Sequence, residues 1–393
     1  MNLILFDSNI ELLLPLTYTR PAADLRTGIL TIKEKWENYT GSSCSFLAQA
    51  SLQAKFKCHW EDDNIYVNGR WLPNASSAAI LESLQLGQAY EHNGELIALR
   101  GGKMTLEELL EAKESTALDD SIQLISRPYD LFNLNDQEVR KDFNLITANR
   151  SSANVNETNT LIGNEIFIEE GAKINAAVLN SESGPIYIGK DAEVMEGSLI
   201  RGPFALCESS VVKLGCKIYG ATTVGPHSKV GGELNNVVMQ AHSNKGHDGF
   251  LGNAFIGEWC NIGADTNASN LKNNYADVKV WNYESKRFTP SGLQFCGLIM
   301  GDHSKCGINT MFNTGTVVGV SANIFGSGFP RNFVPSFSWG GSSGFTTYSL
   351  NKAFDTASKV MERRGKSLNE LEENILKHIF ESSSEYRIWE KNS

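Results

Sequence analysis

From Ile188 onward, aliphatic residues recur every six positions: Ile188, Val194, Ile200, Leu206, Val212, Ile218, Val224 and Val230. Four residues after each come Ala192, Ser198, Phe204, Ser210, Cys216, Thr222, Ser228 and Leu234, most of them small. The phase is present earlier at Ile162, Ile168 and Ile174, and again at Ile256 and Ile262. It returns at Met300, Cys306, Phe312, Val318 and Ile324. A helix cannot use this spacing, because six steps of about 100° turn the apolar position by roughly 240°. A strand can, since six is a multiple of two and every apolar residue then points the same way. The pattern predicts short strands turning every six residues, three to a coil of about 18 residues, with coils stacked as parallel sheets. The expected fold of the second half is therefore an all-β left-handed parallel β-helix of hexapeptide repeats.

The period breaks in three places: at Ser181 to Pro185, between Val230 and Ile256, and between Ile262 and Met300. Loops that leave a rigid solenoid are natural places for sites. The last break carries Asn270, Lys272, Lys279, Trp281, Lys286 and Arg287, too polar and basic for a core, and is expected to extend from the prism. The middle break carries His242, Lys245 and His247. His is suited to removing a proton from an ammonium group near neutral pH. Lys272, Lys279 and Lys245 are candidate cations for a phosphate-bearing sugar.

His247 is followed without gaps by Phe250, Leu251, Gly252, Gly257, Asn261, Ile262, Gly263, Ala264 and Asn270. This run resembles the acetyltransferase half of the bifunctional N-acetylglucosamine-1-phosphate uridylyltransferase/glucosamine-1-phosphate acetyltransferase family, whose scaffold serves acyl-CoA donors. The resemblance implies that His247 is the general base and that Asn261 and Asn270 bind substrate, with Lys272 and Lys279 beside them. It also implies that Ala264 contributes backbone contacts to acetyl-CoA and that the chain forms a homotrimer with acyl sites between neighbouring helices. The sequence departs from the family pattern at Phe250, Leu271 and Asn235, where two tyrosines and a lysine stand in the family.

Residues 1–148 show no hexad phase. Leu3 to Phe6 and Ile65 to Val67 read as buried strands and Leu106 to Leu110 as a helix, which predicts an α/β domain. Leu16, Thr17, Tyr18, Thr19, Arg20 and Pro21, then Arg26, Gly28, Lys33, Lys35 and Trp36, resemble the start of sugar nucleotidyltransferases, as does Arg127 to Phe132. More closely, they resemble the compact nucleotidyltransferase domain found with a hexapeptide helix in Bacteroidetes-type relatives. That chemistry needs cations against a triphosphate and a metal on carboxylates. Arg20, Arg26, Lys33 and Lys35 are the nucleotide-binding candidates, and Asp130 is the candidate ligand for Mg²⁺, with Asp7 a second carboxylate. No glycine precedes Gly28, and Asn68, Gly69 and Arg70 stand where the metal Asp of such domains is expected.

After Gly328 the hexads stop, and Ala353 to Arg364 and Leu368 to Phe380 read as helices capping the β-helix end. The expected division is 1–148, 149–345 and 346–393. A net charge of −10 argues against nucleic acid as partner. No apolar run reaches spanning length and no signal peptide is legible, so no membrane partner is expected and the cytoplasm is the expected location. Seven cysteines without a Cys-x-x-Cys pair predict buried thiols. The reading is a bifunctional transferase with acetyl-CoA, sugar phosphate and nucleoside triphosphate as substrates. Two alternatives remain open: a nucleotidyltransferase whose β-helix is a trimerising scaffold, and a non-catalytic assembly module.

Overall fold

The computed structural model describes residues 1–111, 115–118 and 122–392. It divides into two compact units, Met1–Leu25 with Leu30–Arg127, and Arg26–Ile29 with Pro128–Ser393. The division falls at Arg127 rather than at the expected 148, because the helices Asp130–Asn133 and Asn135–Thr147 are tied to the solenoid. Asn135 makes the tie: its Nδ2 donates to Ala221 O (2.8 Å), and its Oδ1 accepts from Gly28 N (2.7 Å) and Thr223 Oγ1 (3.2 Å).

The first unit is the expected α/β layer. Its six-stranded sheet runs Cys44–Leu47, Asn2–Phe6, Asn64–Asn68, Glu95–Gly101, Ala89–His92, Thr116–Ala117. The first three strands are parallel, and Glu95–Gly101 is antiparallel to Asn64–Asn68. Leu3, Ile4, Leu5 and Phe6 are all buried, as a strand covered on both faces requires. The helix Ile32–Thr40 starts at a reciprocal Thr31–Glu34 capping box and stops at Gly41, whose φ of 64° suits glycine.

The second unit is a parallel β-solenoid with three faces. In chain order each coil contributes a strand to the second face, the third and then the first. Leu206 pairs with Val224 on the second face, Val212 with Val230 on the third, and Ile200 with Ile218 on the first. The hexad aliphatics form one continuous stack, and Ile188, Val194, Leu206, Val212, Val224 and Val230 are fully buried. Each contributes about 1.5–3 kcal/mol by burial. Ala192, Ser198, Ser210, Cys216, Thr222 and Ser228 fill the corners and are equally inaccessible.

The breaks acquire physical causes. Ser181 to Pro185 lengthens one coil, so Ile168 pairs with Ile188. Val224 pairs with Met239 and Met239 with Ile256, so two successive coils close short of the usual length. Here the strands Glu233–Met239 and Phe250–Ile256 run unbroken around the corner between the first and second faces. The third break carries the hairpin Lys279–Asn282 and Arg287–Pro290. The solenoid runs beyond the last hexad at Gly328: Phe333–Val334 and Ser338–Gly341 still pair in parallel with the coil before them. The chain then folds back through Gly344–Thr347 into the helices Leu350–Glu362 and Glu370–Ser382. Phe380 of the last helix packs edge-on against Phe337 of the final coil, 5.0 Å between centroids. Among the described residues no helix is long and apolar enough to cross a membrane.

Candidate functional site

His247 stands at the corner between the third and first faces. The strand Asn244–Lys245 ends the third face, and Phe250–Ile256 begins the first. His247 is exposed, and its imidazole makes no hydrogen bond to the described residues. Its backbone, by contrast, is held from inside. Lys245 takes an interior position of the aliphatic stack, paired with Val230, and is 1% exposed. Its Nζ donates to Gly231 O and to His247 O, both at 2.8 Å. A buried ammonium is tolerated only when its donors are satisfied. Burial lowers the Lys245 pKa to about 8, opposed by the neighbouring Cys216 and Asp248. Lys245 is thus no surface cation for a sugar phosphate.

Asn261 and Ala264 lie one coil further on. Asn261 pairs with Asn244 and is exposed on the third face. The turn containing Ala264 stacks on the His247 turn, since Asp265 N donates to Asp248 O (3.0 Å). The corner therefore brings His247, Asn261 and Ala264 together on one edge of the prism.

Asn270, Lys272 and Lys279 belong to a different corner, the one between the first and second faces. Asn270 is 9% exposed and closes the neck of the insertion. Its Nδ2 donates to Asn253 Oδ1 (2.8 Å), and its carbonyl accepts from Cys296 N (2.9 Å). Lys272 and Lys279 line a cavity of about 1170 Å³ between the insertion hairpin, the last coils and the C-terminal turns. Lys272 Nζ donates to Asp277 O (2.6 Å). His247, Asn261 and Ala264 do not line this cavity. One face separates the two corners, at most roughly 20 Å for six residues of strand.

A third corner, between the second and third faces, carries the ladder His227, His242, Trp259 and His303. His227 stacks on His242 at 4.7 Å, His242 on Trp259 at 4.2 Å, and Trp259 on His303 at 6.4 Å. Burial, then His227, Arg364 and Lys366, lower the His242 pKa to about 4, so this imidazole is neutral at pH 7.

Of the four candidate cations, Arg20, Lys33 and Lys35 lie in the first unit. Arg20 is 5% exposed and pairs with Asp24 (2.9 Å), and Lys33 pairs with Glu37 (2.8 Å). Lys35 is fully buried. Arg26 belongs to the second unit: its backbone N donates to Gln240 Oε1 (3.0 Å), its Nε to Gln240 O (3.2 Å), and its Nη1 to Ile29 O. Asp130, the candidate metal ligand, begins a helix of the second unit. Among the described residues no group of three His, Cys, Asp or Glu side chains converges, so any Mg²⁺ there would rest on one or two carboxylates together with substrate phosphates.

Glu95 carries no signal in the sequence. Open α/β sheets bind ligands at the carboxyl ends of their parallel strands. Here that edge holds Asp7, Ser8 and Asn9 after the first strand and Asn68 at the end of another. Glu95 accepts from Ser8 Oγ (3.0 Å), Asn9 Nδ2 (3.0 Å), Asn68 Nδ2 (3.4 Å) and Arg70 Nη2. Arg70 is 1% exposed, and burial lowers its pKa to about 10. Asp7 is buried too, and desolvation raises its pKa to about 7 against the backbone N–H groups of Ala22 and Gln49. Beside this network lies a polar cavity of about 610 Å³, lined by His92, Asn93, Glu95, Gln123 and Ser126.

The fold and these sites define an α/β domain followed in the chain by a three-faced parallel β-solenoid. Residues 3–151 match the model of the sugar nucleotidyl transferase family. A bifunctional sugar-1-phosphate nucleotidylyltransferase/acetyltransferase of Sulfurisphaera tokodaii is 29% identical over 190 residues, 48% of this chain and 44% of that protein. The bifunctional protein GlmU of Methanocaldococcus jannaschii is 36% identical over 87 residues, 22% of this chain and 21% of that protein. Both relatives are transferases, and the chain spans less than half the length of either. A solved Francisella novicida UDP-N-acetylglucosamine acyltransferase aligns at 12% identity with a TM-score of 0.27, covering 56% of this chain and 74% of that one. The solenoid assignment rests on the coil pairing described above.

Proposed function

We propose that this chain is a bifunctional sugar-phosphate transferase of the cytoplasm. Its solenoid moves an acetyl group from acetyl-CoA to the amine of a hexosamine-1-phosphate. Its N-terminal unit couples a sugar-1-phosphate to a nucleotide, a uridine nucleotide in our reading, and releases pyrophosphate. The observation that carries the acetyltransferase reading is the exposed imidazole of His247, unbonded to the described residues, on a backbone anchored by Lys245. His247 would take the proton of the substrate ammonium. The neutral amine nitrogen would then bond the thioester carbonyl carbon; the first proton having passed from His247 to solvent, the imidazole would take the second N–H proton as the bond forms, the carbon–sulfur bond would break, and the imidazolium would protonate the departing thiolate, leaving the neutral amide and free CoA thiol. Asn261 and Ala264 flank this corner. The placement of Lys272 and Lys279 at another corner supports a homotrimer in which a neighbour's insertion completes the site.

Free CoA thiol released from acetyl-CoA and glucosamine-1-phosphate tests this. Wild type should release thiol, and His247→Ala should lower the rate by about 10²–10⁴-fold. No release by wild type with several amino-sugar phosphates would sink the reading.

The Glu95 network favours a second reading for the N-terminal unit alone. With the Glu95 end of the sheet's carboxyl edge filled by internal bonds, that unit would bind or stabilise without turning over. Pyrophosphate release from a nucleoside triphosphate and a sugar-1-phosphate separates the two. No catalytic step is assigned to a metal.

A further inference from the structure

The cavity beside the insertion is larger than the roughly 300–1,000 Å³ that ordinarily holds a drug-sized ligand, at about 1170 Å³. A hexosamine monophosphate would leave most of it empty. Two aromatic groups line it. On the insertion side Trp281 stacks on Phe333 (4.2 Å, 7°) and meets the edge of Phe288 (5.4 Å), which is 41% exposed. On the C-terminal side Phe345 packs at 5.9 Å from Trp389, whose Nε1 is held by Thr347 Oγ1 at 2.9 Å.

The charges are as uneven as the rings. Lys286 is matched by Glu385 (2.6 Å), whereas Lys279 and Arg331 are exposed and have no carboxylate partner among the described residues. Lys272 adds a third cation held only by a backbone carbonyl.

We propose that this cavity binds a nucleoside diphosphate group, with the base against the aromatic lining and the two phosphates against Lys272, Lys279 and Arg331. Aromatic side chains hold a base through its ring face with little regard to sequence, at about 1–3 kcal/mol per base. Cations beside such a platform pair with the phosphates, and Arg does so bidentately. A bare sugar phosphate offers one phosphate and no planar ring, so it uses neither the second cation nor the ring surfaces. Two molecules of the proposed reactions carry the matching group. One is the nucleotide sugar, the product of the proposed nucleotidyl transfer. The other is the donor CoA. The proposal does not depend on His247 being the base.

The test is tryptophan fluorescence and calorimetric titration of the full chain with UDP-N-acetylglucosamine in one arm and CoA in the other. Lys279→Ala and Arg331→Ala should each weaken the binding ligand about tenfold or more. Both residues are exposed, and an unchanged Tm would show that the fold is intact. Trp281→Phe keeps a ring in the stack and should remove most of the quench. Binding in the first arm that these variants weaken places the nucleotide sugar in the cavity. Binding in the second places CoA there. No binding in either arm, or binding that none of the three variants alters, overturns the proposal. Thiol release with glucosamine-1-phosphate, measured on the same variants, would then show whether the His247 reaction survives without it.

Discussion

At the residue scale, Lys245 departs furthest from its surroundings. A stack of valine, isoleucine and methionine admits one lysine, and that lysine bonds the carbonyl of the histidine at the corner. Lys245→Met fills the same volume without the ammonium, so the stack should survive and the His247 backbone should lose its tether. We expect thiol release to fall by about tenfold through kcat, with KM little changed, because misplacement of a base costs orientation rather than binding. The pH dependence has a definite sign. The folded Lys245 pKa is lowered from 10.5 to about 8. Between those values the unfolded chain holds more protons than the folded one, so stability from this group rises with pH across the window. Lys305 is lowered to about 8 for the same reason, burial, and behaves alike in both proteins. The difference in Tm between wild type and Lys245→Met should therefore move toward wild type from pH 8 to 10.5. A flat difference would mean that the ammonium is not desolvated. Little of this was legible in the sequence, where Lys245 reads as one more loop cation near His247. Only the register of the shortened coil turns it inward.

At the element scale, the solenoid was legible because a strand repeat converts distance along the chain into stacking. His247 and Ala264 are nearly one coil apart in sequence, so their turns lie on one edge, as the stacking of Asp265 on Asp248 shows. The same logic misleads across an insertion. Asn270 and the two lysines follow closely in sequence, yet the chain leaves the prism at the next corner and takes them with it. Asn270 then serves the neck of that insertion rather than the His247 corner. Asn270→Ala removes the bond to Asn253 and should cost about 1 kcal/mol, with limited proteolysis between 271 and 295 quickening before the rest of the chain is cut. Unchanged cleavage there would show that the Cys296 backbone bond alone holds the neck. Two strands of the N-terminal sheet, Leu3 to Phe6 and Ile65 to Val67, were legible, but the other four and the Glu95 network were not. That network needs Ser8, Asn9, Asn68 and Arg70 to converge on a residue from a fourth segment, and no local period encodes such a meeting.

At the scale of the whole molecule, the separation of the two corners has a consequence for assembly. If the His247 edge of one protomer works with the insertion of its neighbour, no protomer owns a complete site. Two different single variants should then rescue each other. His247→Ala keeps its insertion and Lys279→Ala keeps its base, so subunits mixed before assembly contain some interfaces in which both groups are intact. With random mixing of equal amounts, one interface in four joins the unaltered edge of one variant to the unaltered insertion of the other. Thiol release should therefore recover to about a quarter of wild type, while each variant alone stays near its own low rate. Mixing the two after assembly, when subunits do not exchange, should restore nothing. A chain that runs as a monomer at micromolar concentration, or a mixture no more active than its parts, would instead confine the chemistry to the His247 corner of one protomer. The cavity beside the insertion would then have to earn its ligand independently of acetyl transfer, which is the outcome the titrations with UDP-N-acetylglucosamine and CoA resolve.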